Sequence, residues 1–362
     1  MHYSTKIRIG NRQISRDQPS YFIADLAANH DGDIDRAKDL IRLARESGAD
    51  AVKFQHFLAE KIVSDYGFTH LTSKIGHQSS WKKSVFDTYR DYQCPRDWTK
   101  ELVDTARHYA IDLFTTPYDT AAVDAFADIV PAFKIGSGDI TWTEFIEYIA
   151  QKNKPVLLAT GASSMMDVER AVDAVLRHTG EVALMQCNTN YTGSRENFRY
   201  INLNVLKTYA NRYPGMVLGL SDHTPGHVTV LGAIALGARV IEKHFTDDNA
   251  REGPDHAFSM DPVSWRAMVE AARDLEAALG SGKKVVEGNE TDTLVIQRRC
   301  IRAAHDLTAG SLLARSDLDV LRPSVNGAIQ PYDLMHAVGK RIVVDKKCGQ
   351  EILPADIEGF TK

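Results

Sequence analysis

At 362 residues the chain is longer than a single hydrophobic core usually grows, so one large domain with one small one is expected. Its 43% apolar and 25% charged residues match ordinary globular proteins and exclude a disordered or fibrous class. The formal charge of -5 comes without any block of like charge, which argues against nucleic acid or an anionic membrane as partner and leaves a small molecule.

Cys94, Cys187, Cys300 and Cys348 lie far apart with no C-x-x-C pair, so neither a disulfide framework nor a thiolate zinc site is implied. The first twenty residues lack an apolar core long enough for a secretory signal. The apolar tract 228–241 is too short and interrupted to span a bilayer. A soluble, cytoplasmic protein is the expectation.

From Tyr21 onward, eight short β-prone runs begin at Tyr21, Ala51, Asp112, Ala132, Pro155, Val182, Val217 and Arg239. Between and after them, residues 35–47, 96–109, 166–178, 225–236 and 262–279 carry apolar positions at three- and four-residue spacing, as amphipathic helices do. Repeated βα units of this number predict a (β/α)8 barrel over residues 1–280, with an open doubly wound sheet as the alternative. The polar residues favour the barrel, because they recur at the end of every run: Asp25 and His30, Lys53 and Gln55, Thr116, then Lys134, Ser137 and Asp139, then Thr160, Asn188 and Asn190, Ser221 and His223, and finally Glu242 and His244. A doubly wound sheet would gather them at one switch point.

The second βα loop, 57–95, is long and polar with Trp81, Tyr89 and Tyr92 interspersed, the make-up of a lid over substrate. Residues 281–294 read as a polar linker. Residues 295–362 mix the β-prone runs CIRAAHDL, DLDVLRP and KRIVVD with turns and read as a small β-rich domain.

His223 and His244 end adjacent late strands, so in a barrel they can converge on one divalent ion and leave positions open for substrate; two structural rim histidines are the other reading. Lys53, Lys134 and Lys243 each sit in an apolar run, where an ammonium is costly unless it meets an anion. With Ser137, Thr160 and Ser221 they could hold a phosphate and a carboxylate; each could instead pair internally with Asp25, Asp139 or Glu242. A strand-borne lysine could also form a Schiff base with a carbonyl substrate. The run after the eighth strand, with Arg251, Asp255 and His256, is a substrate-contacting loop or a solvated one.

The motifs FIADLAANHDGD, GADAVKFQ, FTTPYD, AFKIGSGD, LLATGAS, GLSDHT, GARVIEKHF and GPDHAFSMDP, in this order, resemble the sialic acid synthase family of neuraminate, legionaminate and pseudaminate synthases. RRCIRAAHDLTAGSLL and LDVLRP resemble that family's C-terminal antifreeze-like (SAF) domain. The resemblance implies condensation of phosphoenolpyruvate with the open-chain aldehyde of an N-acylated hexosamine, with release of phosphate. It assigns a divalent metal, Mn2+ or Mg2+, to His223 and His244, and phosphoenolpyruvate to Lys53, Lys134, Ser137 and Ser221. Asp25, Thr116, Asp139 and Tyr191 match positions around the sugar and the metal; Thr160, Asn190 and Asp255 are further substrate contacts, and Asp25, Lys53, Lys134 and Asp139 are the catalytic set. The resemblance also implies a domain-swapped homodimer in which Arg322 enters the partner's site.

This sequence departs from the family in four places. Asp25 stands where many members have Glu and Asp139 where some do, each a carboxylate shorter by about 1.5 Å. The sixth-strand motif is QCNTNYTGS, with Gln186 and Thr192 replacing the usual His and Pro, and the loop around Arg322 is RPSVNGAI. A catalytically inactive sugar-binding barrel and a metal hydrolase on the same histidines remain alternatives.

Overall fold

The computed structural model describes residues 2–72 and 76–361. The chain divides into two compact units, Met1–Gly280 and Ser281–Lys362.

The first unit opens with an antiparallel hairpin, β1 (Lys6–Ile9) and β2 (Arg12–Ser15), ahead of the first β-prone run expected from the sequence. Eight parallel strands follow: β3 (Tyr21–Asp25), β4 (Ala51–His56), β5 (Asp112–Pro117), β6 (Phe133–Ile135), β7 (Val156–Ala159), β8 (Val182–Cys187), β9 (Val217–Asp222) and β10 (Ala238–His244). They close in the order β10-β3-β4-β5-β6-β7-β8-β9. The fold is the (β/α)8 barrel, and closure rules out the doubly wound sheet.

Strands buried on both faces read as near-continuous apolar runs, which is why Phe22-Ile23-Ala24 and Leu157-Leu158-Ala159 show no polar alternation. Gly219 marks a point of close approach, since a Cβ there would lie 2.6 Å from the Val240 carbonyl oxygen. The fourth run ends sooner than its sequence suggests: β6 stops at Ile135, and Ser137–Asp139 forms a 3-10 turn instead.

Helices lie outside the strands, with start signals readable in the sequence. Asp33 caps Ile34–Glu46 by accepting from the Asp35 and Arg36 amides, and Asp261 with Ser264 forms a capping box under Pro262–Leu279. The N-terminal hairpin buries Ile7, Ile9 and Ile14 in the main core. Arg12 pairs with Asp50, just before β4, so the hairpin packs at the strands' N-terminal end and leaves the C-terminal rim for chemistry. Among the described residues no helix is long and apolar enough to cross a membrane.

The second unit has its own core, built on Ile301, Leu313, Leu318, Ile329, Ile342 and Ile352. Strands β11 (Cys300–Ala303) and β12 (Leu318–Leu321) pair antiparallel. The KRIVVD run contributes isolated bridges through Arg341 and Ile342, and Lys346 just beyond it makes another. The stretch read as a linker runs into a helix, Thr291–Gln297.

Candidate active site

Side chains alternate across a strand, so residues two apart share a face. Asp25, the pair Lys53 and Gln55, Thr116, Lys134, Ser221 and the pair Glu242 and His244 all face the barrel lumen. The proof is bonding between strands that are not neighbours: Lys134 on β6 donates to Glu242 Oε1 on β10 at 2.8 Å, and Lys53 on β4 lies 3.9 Å from the same oxygen. Lys53 Nζ also donates to Asp25 Oδ2 at 2.7 Å and Thr116 Oγ1 at 3.0 Å, while Gln55 and Ser221 donate to Asp25 and Glu242 at 3.1 and 3.0 Å.

Two ammonium groups are thus held among two carboxylates in a nearly dry lumen. Burial pushes the Asp25 carboxyl up, but Lys53 and His244 outweigh it and hold it below the usual carboxylate range. Burial pulls Lys53 down, yet Asp25 and Glu242 raise it above an ordinary lysine. Glu242 Oε2 is buried with no hydrogen-bond partner, an acceptor left over in the network.

His223 and His244 meet above this floor with ring centroids 5.3 Å apart. His223 Nδ1 donates to the Asn188 carbonyl at 2.9 Å, which leaves Nε2 with a free lone pair. Burial holds His244 neutral, down to about 3, helped by the neighbouring cations and against Asp25. Its Nδ1 is buried and without a hydrogen-bond partner. Two neutral imidazoles, one with an orphaned nitrogen, are the donor set a divalent ion takes. Among the described residues no group of three or more His, Cys, Asp or Glu is placed to hold a metal ion, so His223 and His244 would supply two ligands and no third is in place.

A cavity of about 140 Å³ opens beside His244, Tyr191 and Asp255 and is roofed by Trp81, Tyr89 and Tyr92 of the 57–95 loop. Tyr191 stands edge-on to His223 at 4.4 Å between ring centroids, and Phe258 packs on His244 at 4.9 Å. Asp255 accepts from the Ala28 amide at 3.2 Å, and burial, seconded by Asp25, raises its carboxyl to about 6. Asp139 likewise rises to about 6 through burial, with Oδ2 unpartnered.

The NeuB family profile matches residues 40–284, more than half of the chain, and the SAF domain profile matches residues 298–358. The chain belongs to the NeuB family. It is 32% identical over 363 residues to the N,N'-diacetyllegionaminic acid synthase of Legionella pneumophila, covering 96% of this chain and 99% of that one. It is 30% identical over 334 residues to the N-acetylneuraminate-9-phosphate synthase of Homo sapiens, covering 92% and 91%. Among solved structures, the N-acetylneuraminic acid (sialic acid) synthetase of Leptospira borgpetersenii serovar Hardjo-bovis, in complex with citrate, superposes with a TM-score of 0.70 at 26% identity, over 81% of this chain and 96% of that one. This NeuB-family chain is accordingly an enzyme of the sialic, legionaminic and pseudaminic acid synthase group, with a SAF domain at its C-terminal end.

Not every residue singled out in the NeuB-family sequence faces the lumen. Lys243 lies one position out of phase with Glu242 and His244. It points into the helix layer, where it pairs with Asp222 and donates to the Thr224 carbonyl at 2.6 Å; Asp222 in turn accepts from Thr229 of the helix Val228–Ala235. The expectation of three converging lysines is corrected to two. Thr160 also turns outward: its hydroxyl donates to the Met185 carbonyl at 3.0 Å and accepts from Tyr209 at 2.9 Å, so it braces the wall rather than reaching the lumen.

Asn190 is exposed and organises its own loop, accepting from Thr192 and from Asn197 Nδ2 at 3.2 Å. Ser137 accepts from the Gly161 amide at 2.9 Å, an approach only glycine permits, since a Cβ there would meet the serine oxygen at 2.9 Å. Arg322, in the second unit, donates to the Gln297 carbonyl at 2.6 Å. Gln186, at the departed sixth-strand motif, donates to the Ile201 carbonyl at 2.9 Å and anchors the following segment. Glu242, the hub of the network, stands in the sequence only as a strand-end polar residue and a possible lysine partner, not as a site residue. Its two-residue spacing from His244 on one strand was the signal that it shares the lumen.

Proposed function

We propose that the enzyme condenses phosphoenolpyruvate with the open-chain aldehyde of an N-acylated hexosamine, giving a nine-carbon 2-keto sugar acid and inorganic phosphate. The observation that carries this reading is the floor of the barrel. Lys53 and Lys134 are buried side by side with Asp25 and Glu242, beneath the two histidines and next to the cavity lined by His244, Tyr191 and Asp255.

A trianionic substrate can exchange places with the carboxylates as partner of the two ammonium groups, while Ser137 and Ser221 offer hydroxyls to its oxygens. C3 of phosphoenolpyruvate then forms the new carbon–carbon bond to the aldehyde carbon, whose oxygen gains a proton. Water adds to C2 and gives up one proton, matching the one gained by the aldehyde oxygen; the C2 hydroxyl then passes its proton to the phosphate, which leaves with the bridging oxygen as C2 becomes a carbonyl. Glu242, with its unpartnered Oε2, and Asp25 are the groups placed to move those protons, and Asp139, raised by burial to about 6, titrates close enough to neutral pH to take up or give one. When bound between His223 and His244, a divalent ion such as Mn2+ or Mg2+ would supply Lewis-acid polarisation of the aldehyde. Trp81, Tyr89 and Tyr92 exclude water from above. As part of the same reading, a homodimer with exchanged C-terminal domains supplies Arg322 to the partner's sugar.

The Schiff-base alternative is disfavoured by the raised Lys53 ammonium, because an amine must be neutral to attack a carbonyl. The test is phosphate release from phosphoenolpyruvate labelled with 18O at the bridging position, in the presence of N-acetylated hexosamines. Release should require the sugar, stop in EDTA, and carry the label into phosphate. Unlabelled phosphate, undiminished turnover in EDTA, or inactivation by borohydride through a trapped lysine adduct would each defeat the reading.

A further inference from the structure

The segment after β10 carries a histidine that the proposed reaction leaves unused. His256 opens a short 3-10 turn, yet it is fully buried, and its ring bridges two loops of the barrel rim. Nε2 donates to Asp31 Oδ1, in the loop after β3, at 2.8 Å, and Nδ1 lies 2.7 Å from Thr246 Oγ1, just past the end of β10. Gly253 makes room for the ring, since a Cβ there would lie 2.6 Å from His256 Cδ2.

Asp31 is gripped from other sides as well. Arg251 pairs with it at 2.7 Å and Arg36 at 3.3 Å, and Arg36 reaches on to Asp247 at 2.7 Å. Asn29 Nδ2 donates to the Phe245 carbonyl and the Ser259 hydroxyl at 2.8 and 2.9 Å. Charge-assisted and amide bonds therefore join the loop after β3 to the loop after β10.

The first of these loops needs such support. Ala27 and Asp31 both have left-handed backbone, at φ +41° and +52°, a conformation that is costly for a residue with a Cβ and persists where its surroundings impose it. Between them stands Ala28, whose amide donates to Asp255 Oδ2 at 3.2 Å. Asp255 immediately precedes His256, and Ala28, Asp255 and His244 line the same cavity. The two loops are thus riveted twice by neighbouring residues, once at the cavity through Asp255 and Ala28 and once behind it through His256 and Asp31.

We propose that His256 is a positioning residue for the condensation: its bond to Asp31 latches the two loops together and so aims the Asp255 carboxyl group at the acceptor sugar. The inference rests on the condensation reading above, with the acceptor in the cavity beside Asp255. Being fully buried, His256 acts through its neighbours.

Steady-state kinetics on the full-length enzyme, with Mn2+, phosphoenolpyruvate and N-acetylmannosamine, test it first. His256→Phe should lower kcat/KM for the sugar by about 100-fold and leave the KM for phosphoenolpyruvate within about 2-fold. His256→Gln, whose amide can still donate to Asp31, should recover about 10-fold of that loss. Gly253→Ala, which displaces the ring without deleting a polar group, should give the same one-sided loss even if His256→Phe does not fold. In an Asp255→Ala background His256→Phe should cost no more than about 3-fold further, because the two residues act as one unit. An equal rise in both KM values, no recovery by glutamine, or additive losses overturn the inference. Hydrogen exchange of residues 26–33 in the substrate-free enzyme reads the latch without turnover. Exchange about 10-fold faster in His256→Phe and restored in His256→Gln sustains it, and unchanged exchange overturns it. If exchange responds in this way while the unaltered enzyme releases no phosphate with N-acylated hexosamines, the proposed condensation is what falls.

Discussion

The lumen of the barrel and the layer between its strands and helices each hold a buried lysine–aspartate pair, and the two pairs differ in what surrounds them. Lys53 and Asp25 share their lumen with a second ammonium, a second carboxylate and two histidines, and Glu242 keeps an unpartnered oxygen. Lys243 and Asp222 sit in the helix layer with every polar contact answered by Thr224 and Thr229. Unanswered acceptors among exchangeable ion pairs suit a ligand, whereas a closed set of bonds suits a strut. Burial of a charged residue in an apolar run therefore carries no functional information until its partners are known.

The comparison breaks or sharpens most strongly at the lysines themselves. Lys53→Met should lower kcat/KM by about 1,000-fold or more, because an electrostatic contact to the reacting anion is lost, while the folded structure persists by circular dichroism. Lys243→Met should do the reverse, costing about 3–5 kcal/mol of stability by stranding Asp222, with kcat/KM of the folded fraction within about 10-fold of the original. Similar activity losses in both would erase the distinction.

A smaller effect separates the two regions by pH. Burial raises the Asp139 carboxyl to about 6 from an ordinary 3.8, so the folded state binds this proton more tightly than the unfolded chain. Its favourable contribution is complete below the unfolded value and is lost as pH rises through about 6. Asp139→Asn should therefore stabilise the substrate-free protein by on the order of 2–3 kcal/mol at pH 8 and by little at pH 4, read from denaturant midpoints. A pH-independent difference would mean that the carboxylate is paired in solution.

The smallest effect is expected on the outward wall. Thr160→Val should cost about 1–2 kcal/mol through the lost bonds to Met185 and Tyr209, leaving the KM for phosphoenolpyruvate unchanged. A rise in that KM would return Thr160 to the substrate site.

Much of the architecture was legible along the chain. Eight β-prone runs stand at eight strands, and polar residues cluster at strand ends because a parallel barrel buries its strands on both faces and leaves chemistry to the rim. The N-terminal hairpin was not legible, since four-residue strands with polar turns resemble any surface loop. The early end of β6 was hidden as well, because Gly136 and Ser137 continue an extended-looking run into a tight turn.

By itself, then, the sequence determined the barrel, the small second unit, the family, and which residue types stand at each strand end, because these follow from local periodicity and ordered motifs. Only the tertiary structure decided which of those residues meet. Closure of the sheet brings Lys134 and Glu242, 108 positions apart, to 2.8 Å, and the two-residue alternation of each strand turns Lys243 away from a site its neighbours help to form.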